Sequence, residues 1–371
     1  MRVRPIRCCL CLLLASSACA DGGAPGGPLP TPLTVFDESA PAPDRTPHVV
    51  FFPRIGSIED DDWGAIGPGV VLMNGGLKPT TAFGWMKNTV DSARIAGDVV
   101  VLSTSGGDVY SEPIYAAAAF NSVQTVLVPP GAPDSDIVLV ANRLQTAEIV
   151  FLADSDSASF GVWARTSLGP AVQGVYGRGG VVAGAGTGAM ALGSTVLSTG
   201  TDSYTALANP YAPTITLERG VFGLPAMDGT YVDINLQTAD RFGVLAAMTA
   251  RTLVQGTSGT PLAAALGLGV DVNAALAIDH HGNVTLLGDD GAQGMAWMVG
   301  GSAVDQVTEG EPLVWKTARV TRFDAVGESW SIPSNCGTAF GYDVAIDGSE
   351  ATPYSPANPY DAQGTASPCE Y

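Results

Sequence analysis

The stretch Gly184-Ala185-Gly186-Thr187-Gly188-Ala189 follows an apolar run and opens a segment with helical texture, which is the strand-turn-helix setting and G-x-S-x-G spacing of a nucleophile elbow. In an elbow of this kind the flanking glycines let a sharply turned backbone push one side chain out over the sheet edge, while the next amide and the helix start stabilise an oxyanion. The central position here is Gly186, which has no side chain to offer, and the same spacing also suits a plain glycine-rich turn. Thr187 stands one position late, with its amide toward the cleft and its side chain expected to point away. Ser155 and Ser157 lie in the acidic loop Asp154-Ser155-Asp156-Ser157, but a serine without a base is a weak nucleophile and no histidine is near in sequence. His280 and His281 fall in the turn His280-His281-Gly282-Asn283, where a surface place is expected. The histidines (His48, His280, His281) and the cysteines lack the close ligand spacing of a zinc site, and Glu59-Asp60-Asp61-Asp62 lacks the spaced ligands and glycine turn of a calcium loop. No metal and no other cofactor is expected. The six tryptophans, Trp63, Trp85, Trp163, Trp297, Trp315 and Trp330, are spread through different elements and read as core.

The elements that must position these residues have α/β punctuation. Val70 to Met73, Val99 to Leu102, Val126 to Val128, Ile149 to Leu152 and Gly180 to Ala183 are almost unbroken apolar runs, as expected of parallel strands buried on both faces. Between the first two, Phe83, Met86, Val90 and Ala93 recur at three- and four-residue steps and Gly97 supplies a stop, which predicts a crossover helix over 80–96. Further helices are predicted over 112–121, 136–146, 188–198 and 239–254. The fold class that follows is a three-layer α/β sandwich with a flavodoxin-like parallel sheet. After about Leu268 the pattern turns to alternation with turn signals, giving strands at 274–278, 284–287, 295–299 and 316–323 and hence a β-rich C-terminal part.

The chain has 371 residues, 46% of them hydrophobic, enough for a sizeable core, and carries 36 acidic against 17 basic residues. A net charge of −19 with no basic stripe excludes nucleic acid as a natural partner and leaves no patch for anionic lipid. Arg2, Arg4 and Arg7 precede the apolar run Cys8 to Ala15, and small residues lead into Cys19, which reads as a secretory signal over 1–18. Its cysteine after small residues resembles a lipoprotein signal, with Cys19 as the lipidated residue, although Ser16 stands where a leucine is usual. Cleavage would leave 14 basic residues against 36 acidic ones, a formal charge of −22. Residues 19–47 are dominated by Gly, Pro, Ala, Asp and Thr and read as a flexible tether. Export to a bacterial cell envelope, with membrane attachment through a lipid anchor only, is the expectation. Of the six cysteines only Cys336 and Cys369 remain in the folded body, and in an oxidising compartment they are expected to pair, contributing roughly 3 kcal/mol by loop closure.

From Pro68 to about Phe323 the chain resembles the cyanophycinase-like exopeptidases, a family of serine peptidases. Gly69-Val70-Val71-Leu72-Met73-Asn74-Gly75-Gly76 looks like the family's opening strand and glycine turn, and Ser105-Gly106-Gly107-Asp108-Val109-Tyr110 like the loop after its second strand. Ala208-Asn209-Pro210-Tyr211, Leu224-Pro225, Gly229-Thr230, Asp240-Arg241 and Gly267-Leu268-Gly269-Val270-Asp271 keep the family's order. The resemblance implies a catalytic serine at position 186 and a histidine base at 235, where this chain has Gly186 and Asn235 in Asp233-Ile234-Asn235-Leu236. The family's Gly-Gly-Asp-Gln loop beside the nucleophile matches residues 154–157, so only Asp156 keeps its identity, and the family's glutamate after the last element is Val272. An amide cannot take up a proton near neutral pH, and a carboxylate at Asp154 would oppose a developing oxyanion. The expected cleft is therefore framed by Gly75, Gly76, Asp154, Ser155 and Thr187 without working catalytic groups. The family-like domain is expected over 48–300 and a β-rich extension with the disulfide over 301–371. The leading expectation is an inactive pseudopeptidase that binds a peptide-like ligand or a protein partner. Two others stand beside it: an active exopeptidase of acidic or isoaspartyl peptides with a relocated nucleophile, and a structural envelope protein with a vestigial cleft.

Overall fold

The computed structural model describes residues 49–59, 67–90, 97–256, 259–291 and 294–369. The predicted signal, Cys19, the tether, His48, Asp60 to Asp62, Trp63 and the end of the first predicted helix lie outside these residues.

The α/β half runs β1 (Gly69–Met73), α1 (Thr81–Val90), β2 (Asp98–Ser103), α2 (Ser111–Ala118), β3 (Ser122–Leu127), α3 (Asp134–Arg143), β4 (Ile149–Leu152), α4 (Ser157–Ala164), α5 (Leu168–Gly177) and β5 (Val181–Ala185). These five strands are parallel, in the order β3-β2-β4-β5-β1. Their residues alternate between two cores because successive side chains of a strand point to opposite faces. Val70, Leu72, Val100, Leu102, Val150 and Leu152 meet α3, α4 and α5 through Ile137, Val140, Phe160 and Val172. Val71, Met73, Val99, Val101 and Phe151 meet α1 and α2 through Phe83, Met86, Val90 and Ile114. Both faces are covered, and this is why the strands read as unbroken apolar runs.

The chain continues with α6 (Thr187–Met190), β6 (Thr195–Leu197), α7 (Ser203–Ala208), β7 (Thr230–Ile234), α8 (Phe242–Gln255), β8 (Ala265–Val270), β9 (Ala275–Ile278), β10 (Asn283–Leu287), β11 (Ala296–Gly301), β12 (Val314–Phe323), β13 (Ser329–Ser331) and β14 (Cys336–Asp347). Strand β9 pairs antiparallel with β1 and hands the sheet on through β10, β13, β14, β12 and β11 to β8, all antiparallel, after which β8, β7 and β6 are parallel again. Helix α8 packs on this second part in a core with Trp297, Trp315, Val320 and Val344. Residues 300 and 301 lie inside β11, so the predicted boundary there cuts a paired strand.

Two predicted elements differ. Residues 188–198 form the four-residue helix α6 and then β6 rather than one helix: Gly193 interrupts the run, and Thr195 pairs with Tyr231 of β7 while 195–197 pair with the short strand Leu217–Arg219. Strand β3 starts at Ser122 instead of Val126, because its buried polar side chains are satisfied: Ser122 Oγ donates to Asp98 (2.6 Å) and Thr125 Oγ1 to Asp108 (2.7 Å). Cys336 and Cys369 form a disulfide, tying the start of β14 to the chain end.

Candidate functional site

Strands β1, β4 and β5 end side by side, so the loops that follow them share one edge of the sheet. The elbow follows β5. Gly186 has φ 58° and ψ −127°, a left-handed conformation that costs glycine little and other residues more. Gly188 allows α6 to sit directly on β4, since a Cβ there would lie 2.2 Å from the Leu152 carbonyl oxygen. The elbow backbone is thus built as the glycine spacing predicts.

What sits over it is a carboxylate. The parallel register pairs Leu152 with Gly184, so Asp154, two residues on, comes level with Gly186. A Cβ added at Gly186 would meet the Asp154 carboxyl carbon at 2.3 Å and its oxygens at 2.4 and 2.7 Å. The same carboxylate accepts from the Thr187 amide (3.0 Å) and the Thr187 hydroxyl (2.9 Å). Asp154 therefore takes both the space of an elbow side chain and the amide that would hold an oxyanion.

The Thr187 Oγ1 proton is already committed. The oxygen accepts from the Ser155 amide (2.9 Å), and its one proton is directed between the Ser155 carbonyl (2.5 Å) and Asp154. Ser155 Oγ accepts from the Thr104 amide (3.3 Å). Asp156 is the N-cap of α4, accepting from the Ala158 amide (3.4 Å) and the Ser159 hydroxyl (3.0 Å), which is a structural post. Ser157 is the first residue of α4.

Asn235, also in a left-handed conformation (φ 54°), ends β7 and is tied to Asn74 at the end of β1 by two bonds: Asn74 Nδ2 donates to Asn235 Oδ1 (2.9 Å), and the Asn235 amide donates to Asn74 Oδ1 (2.6 Å). The pair joins the two sections of the sheet across the site. It is a neutral clasp. Gly75 and Gly76 form the turn after Asn74, with open space where a Cβ would be on either. His280 and His281, rings 3.7 Å apart, lie beyond Ile278, which pairs with Val70 at the opposite end of β1 from the elbow. Neither imidazole belongs to the site. Val272 is exposed on the turn after β8.

Beside the elbow lies a cavity of about 370 Å³, lined by Thr187, Met190, Ser198, Asp233, Asn235 and Arg241 among others. Asp154 and Ser155 stand behind Thr187 rather than in this lining, and Gly75 and Gly76 lie outside it. Asp233 and Arg241 had carried no role in the sequence reading. Arg241 Nε donates to Asp233 Oδ1 (2.8 Å), which also accepts from the Ile234 amide (2.9 Å). Asp233 is fully buried, and both the Arg241 guanidinium and the Tyr231 hydroxyl interact with its carboxylate, although Oδ2 and the hydroxyl make no hydrogen bond of good geometry among the described residues. Burial pushes the Asp233 carboxyl above its ordinary range despite the guanidinium beside it, and pushes the Tyr231 phenol well up. For Arg241 burial works downward, but the Asp233 charge outweighs it and holds the guanidinium protonated. An aspartate inside an otherwise apolar strand, Thr230-Tyr231-Val232-Asp233-Ile234, was the available signal, since a buried carboxylate needs a cation or a donor.

No protein-family model and no curated protein matches the chain. Among solved structures it is similar to a peptidase from an acI-B1 actinobacterium, with 14% identity and a TM-score of 0.43 over 72% of this chain and 97% of that one. It is also similar to a Listeria monocytogenes EGD-e protein provisionally assigned to peptidase E, with 10% identity and a TM-score of 0.37 over 60% of this chain and all of that one. These are distant likenesses of chain trace. The chemistry of the site is drawn from its own side chains.

Proposed function

We propose that this chain is an exported, lipid-anchored pseudopeptidase, a cyanophycinase-like scaffold that binds a peptide-like ligand in the cavity beside its elbow and does not cleave it. The observation that carries this reading is the Asp154 carboxylate, seated over Gly186 and hydrogen-bonded to the Thr187 amide. Acyl transfer needs a nucleophile at the elbow and an electropositive pocket for the oxyanion. At this elbow the nucleophile's place holds a fixed negative charge, and the charge takes up the pocket's donor. The Thr187 hydroxyl is committed to Ser155 and Asp154, and the place of a base is taken by an amide clasped to Asn74. Losing nucleophile and base together leaves at most the slow catalysis of a binding cleft.

Ligand binding makes different demands, and the cavity meets them. It offers Arg241 and the Asn235 amide in its lining, with apolar contact from Met190. A short acidic or isoaspartyl peptide presents carboxylates and amides of matching polarity. The test pairs a fluorophosphonate probe with calorimetric titration of an isoaspartyl dipeptide into the purified full chain. We expect no covalent labelling, no hydrolysis, and saturable binding. Stoichiometric labelling abolished by a single Ser or Thr substitution would overturn the inactive reading, and absence of peptide binding would overturn the binding reading.

A further inference from the structure

A second cavity, of about 470 Å³, opens at the other end of the same strands, where β7 and β8 begin and β11 ends. Leu266, Met298 and Trp330 supply apolar walls, and Arg319 and Thr321 of β12 also line it. The volume lies within the range of small-molecule sites, and a mostly apolar wall with a few polar groups is their usual composition.

Besides Arg319, two of the lining side chains carry donors that no described residue uses. Thr321 is 4% exposed and Trp330 3% exposed, and the Thr321 hydroxyl and the Trp330 indole N–H bond to no described residue; neither is among the fully buried atoms left without a partner, so both remain accessible to solvent. Donors that are reached by solvent and uncommitted to the protein can be offered to a ligand acceptor in place of water. Arg319 adds positive charge. Its partner among the described residues is Asp343, at 3.3 Å and largely exposed, which leaves most of the guanidinium's donors uncommitted. The arginine is also placed by its neighbours. It pairs with Gly300 on one side, and a Cβ at Gly341 would lie 2.3 Å from Arg319 Nη2, so the guanidinium occupies room that only glycine leaves. The lining carboxylate, Asp228, accepts from the Gly229 amide (3.0 Å).

We infer that this cavity is a binding site for a small amphipathic organic anion, with its acid group on Arg319 and Thr321 and its apolar body against Leu266, Met298 and Trp330. An overall charge of −19 repels anions from the surface at large, so selectivity for one must come from a local cation such as Arg319. A planar guanidinium is suited to a carboxylate or sulfonate. The site is separate from the elbow cavity, and its existence does not depend on whether that cavity binds peptides.

The test uses the full chain and 8-anilinonaphthalene-1-sulfonate as a fluorescent probe, displaced by octanoate or by its uncharged analogue octanamide. The expected result is saturable probe binding, at least tenfold tighter displacement by the acid than by the amide, and loss of that preference in Arg319→Gln. Thr321→Val, nearly isosteric, should weaken octanoate about threefold without lowering the melting temperature as a core cavity would. No saturable probe binding, equal displacement by acid and amide, or an acid preference unchanged in Arg319→Gln would each overturn the inference.

Discussion

The two walls that flank the elbow, one lining the neighbouring cavity and the other touching it through Thr187, obey opposite rules. On the β4–β5 side the polar groups are exposed or half-buried and bind chiefly one another: Asp154 accepts from Thr187, Thr187 from Ser155, Ser155 from Thr104, and Asp156 caps its own helix. On the β7–α8 side charge is held in the interior: the fully buried Asp233 meets Arg241, with the Tyr231 hydroxyl beside both. A closed network contributes rigidity and offers a ligand little. A buried ion pair is expensive to keep for stability alone, since replacing such pairs by apolar residues is often neutral or favourable. Under the proposed function the first wall is scaffold and the second is where a ligand would be recognised.

The largest effect expected comes from breaking the second wall. In Arg241→Met the Asp233 carboxylate stays buried without its cation, and removal of one partner from a buried pair costs about 3–5 kcal/mol. Urea denaturation at pH 7 should show a loss of that order. A loss below 1 kcal/mol would mean that the pair is solvated and that the second wall is an ordinary surface.

The first wall is probed by putting a side chain back. Gly186→Ser meets the Asp154 carboxylate and a left-handed backbone, so we expect a loss of about 2–3 kcal/mol, larger than strain alone. Asp154→Gly in the same chain should recover the overlap and leave only the backbone term. Since the two positions are in contact, the coupling from a double-mutant cycle should reach about 1 kcal/mol or more. Additive effects would show that Asp154 moves aside freely, and the elbow would then be empty rather than occupied.

These positions also mark how far the sequence could be read. The parallel strands were legible because burial on both faces leaves unbroken apolar runs, and the elbow because glycines at 184 and 188 answer to close backbone approach and that at 186 to a positive φ. Strand β6 was not legible: Ala189, Leu192 and Val196 recur at three- and four-residue steps, and Gly193 with the pairing of Thr195 to Tyr231 overrides that period. Only the start of β3 was hidden, since Ser122, Gln124 and Thr125 look like loop residues until Asp98, Asp108 and Arg143 are seen to satisfy them. The position of Asp154 over Gly186 spans 32 residues and depends on the β4–β5 register, which local pattern does not encode. Asp233 and Arg241 are eight residues apart but face each other only because β7 ends and α8 begins across that gap.

The smallest effect separates the walls by pH. Burial raises the Asp233 carboxyl in the folded state above its ordinary 3.8, so between that value and the raised one the native chain binds more protons than the unfolded chain. Stability then falls as pH rises through the window, because the slope follows the protons bound by the unfolded state minus those bound by the native state. Asp233→Asn removes this component and keeps a carbonyl oxygen to accept from Arg241 Nε. The other carboxylates titrate alike in both proteins, so the difference in unfolding free energy between the native chain and Asp233→Asn isolates the one group. Measured by urea unfolding from pH 4 upward, that difference should move steadily against the native chain as pH increases. A difference that is flat, or that moves in favour of the native chain, would mean that Arg241 dominates burial at Asp233. The second wall would then be as closed on itself as the first, and the assignment of recognition to it would fail.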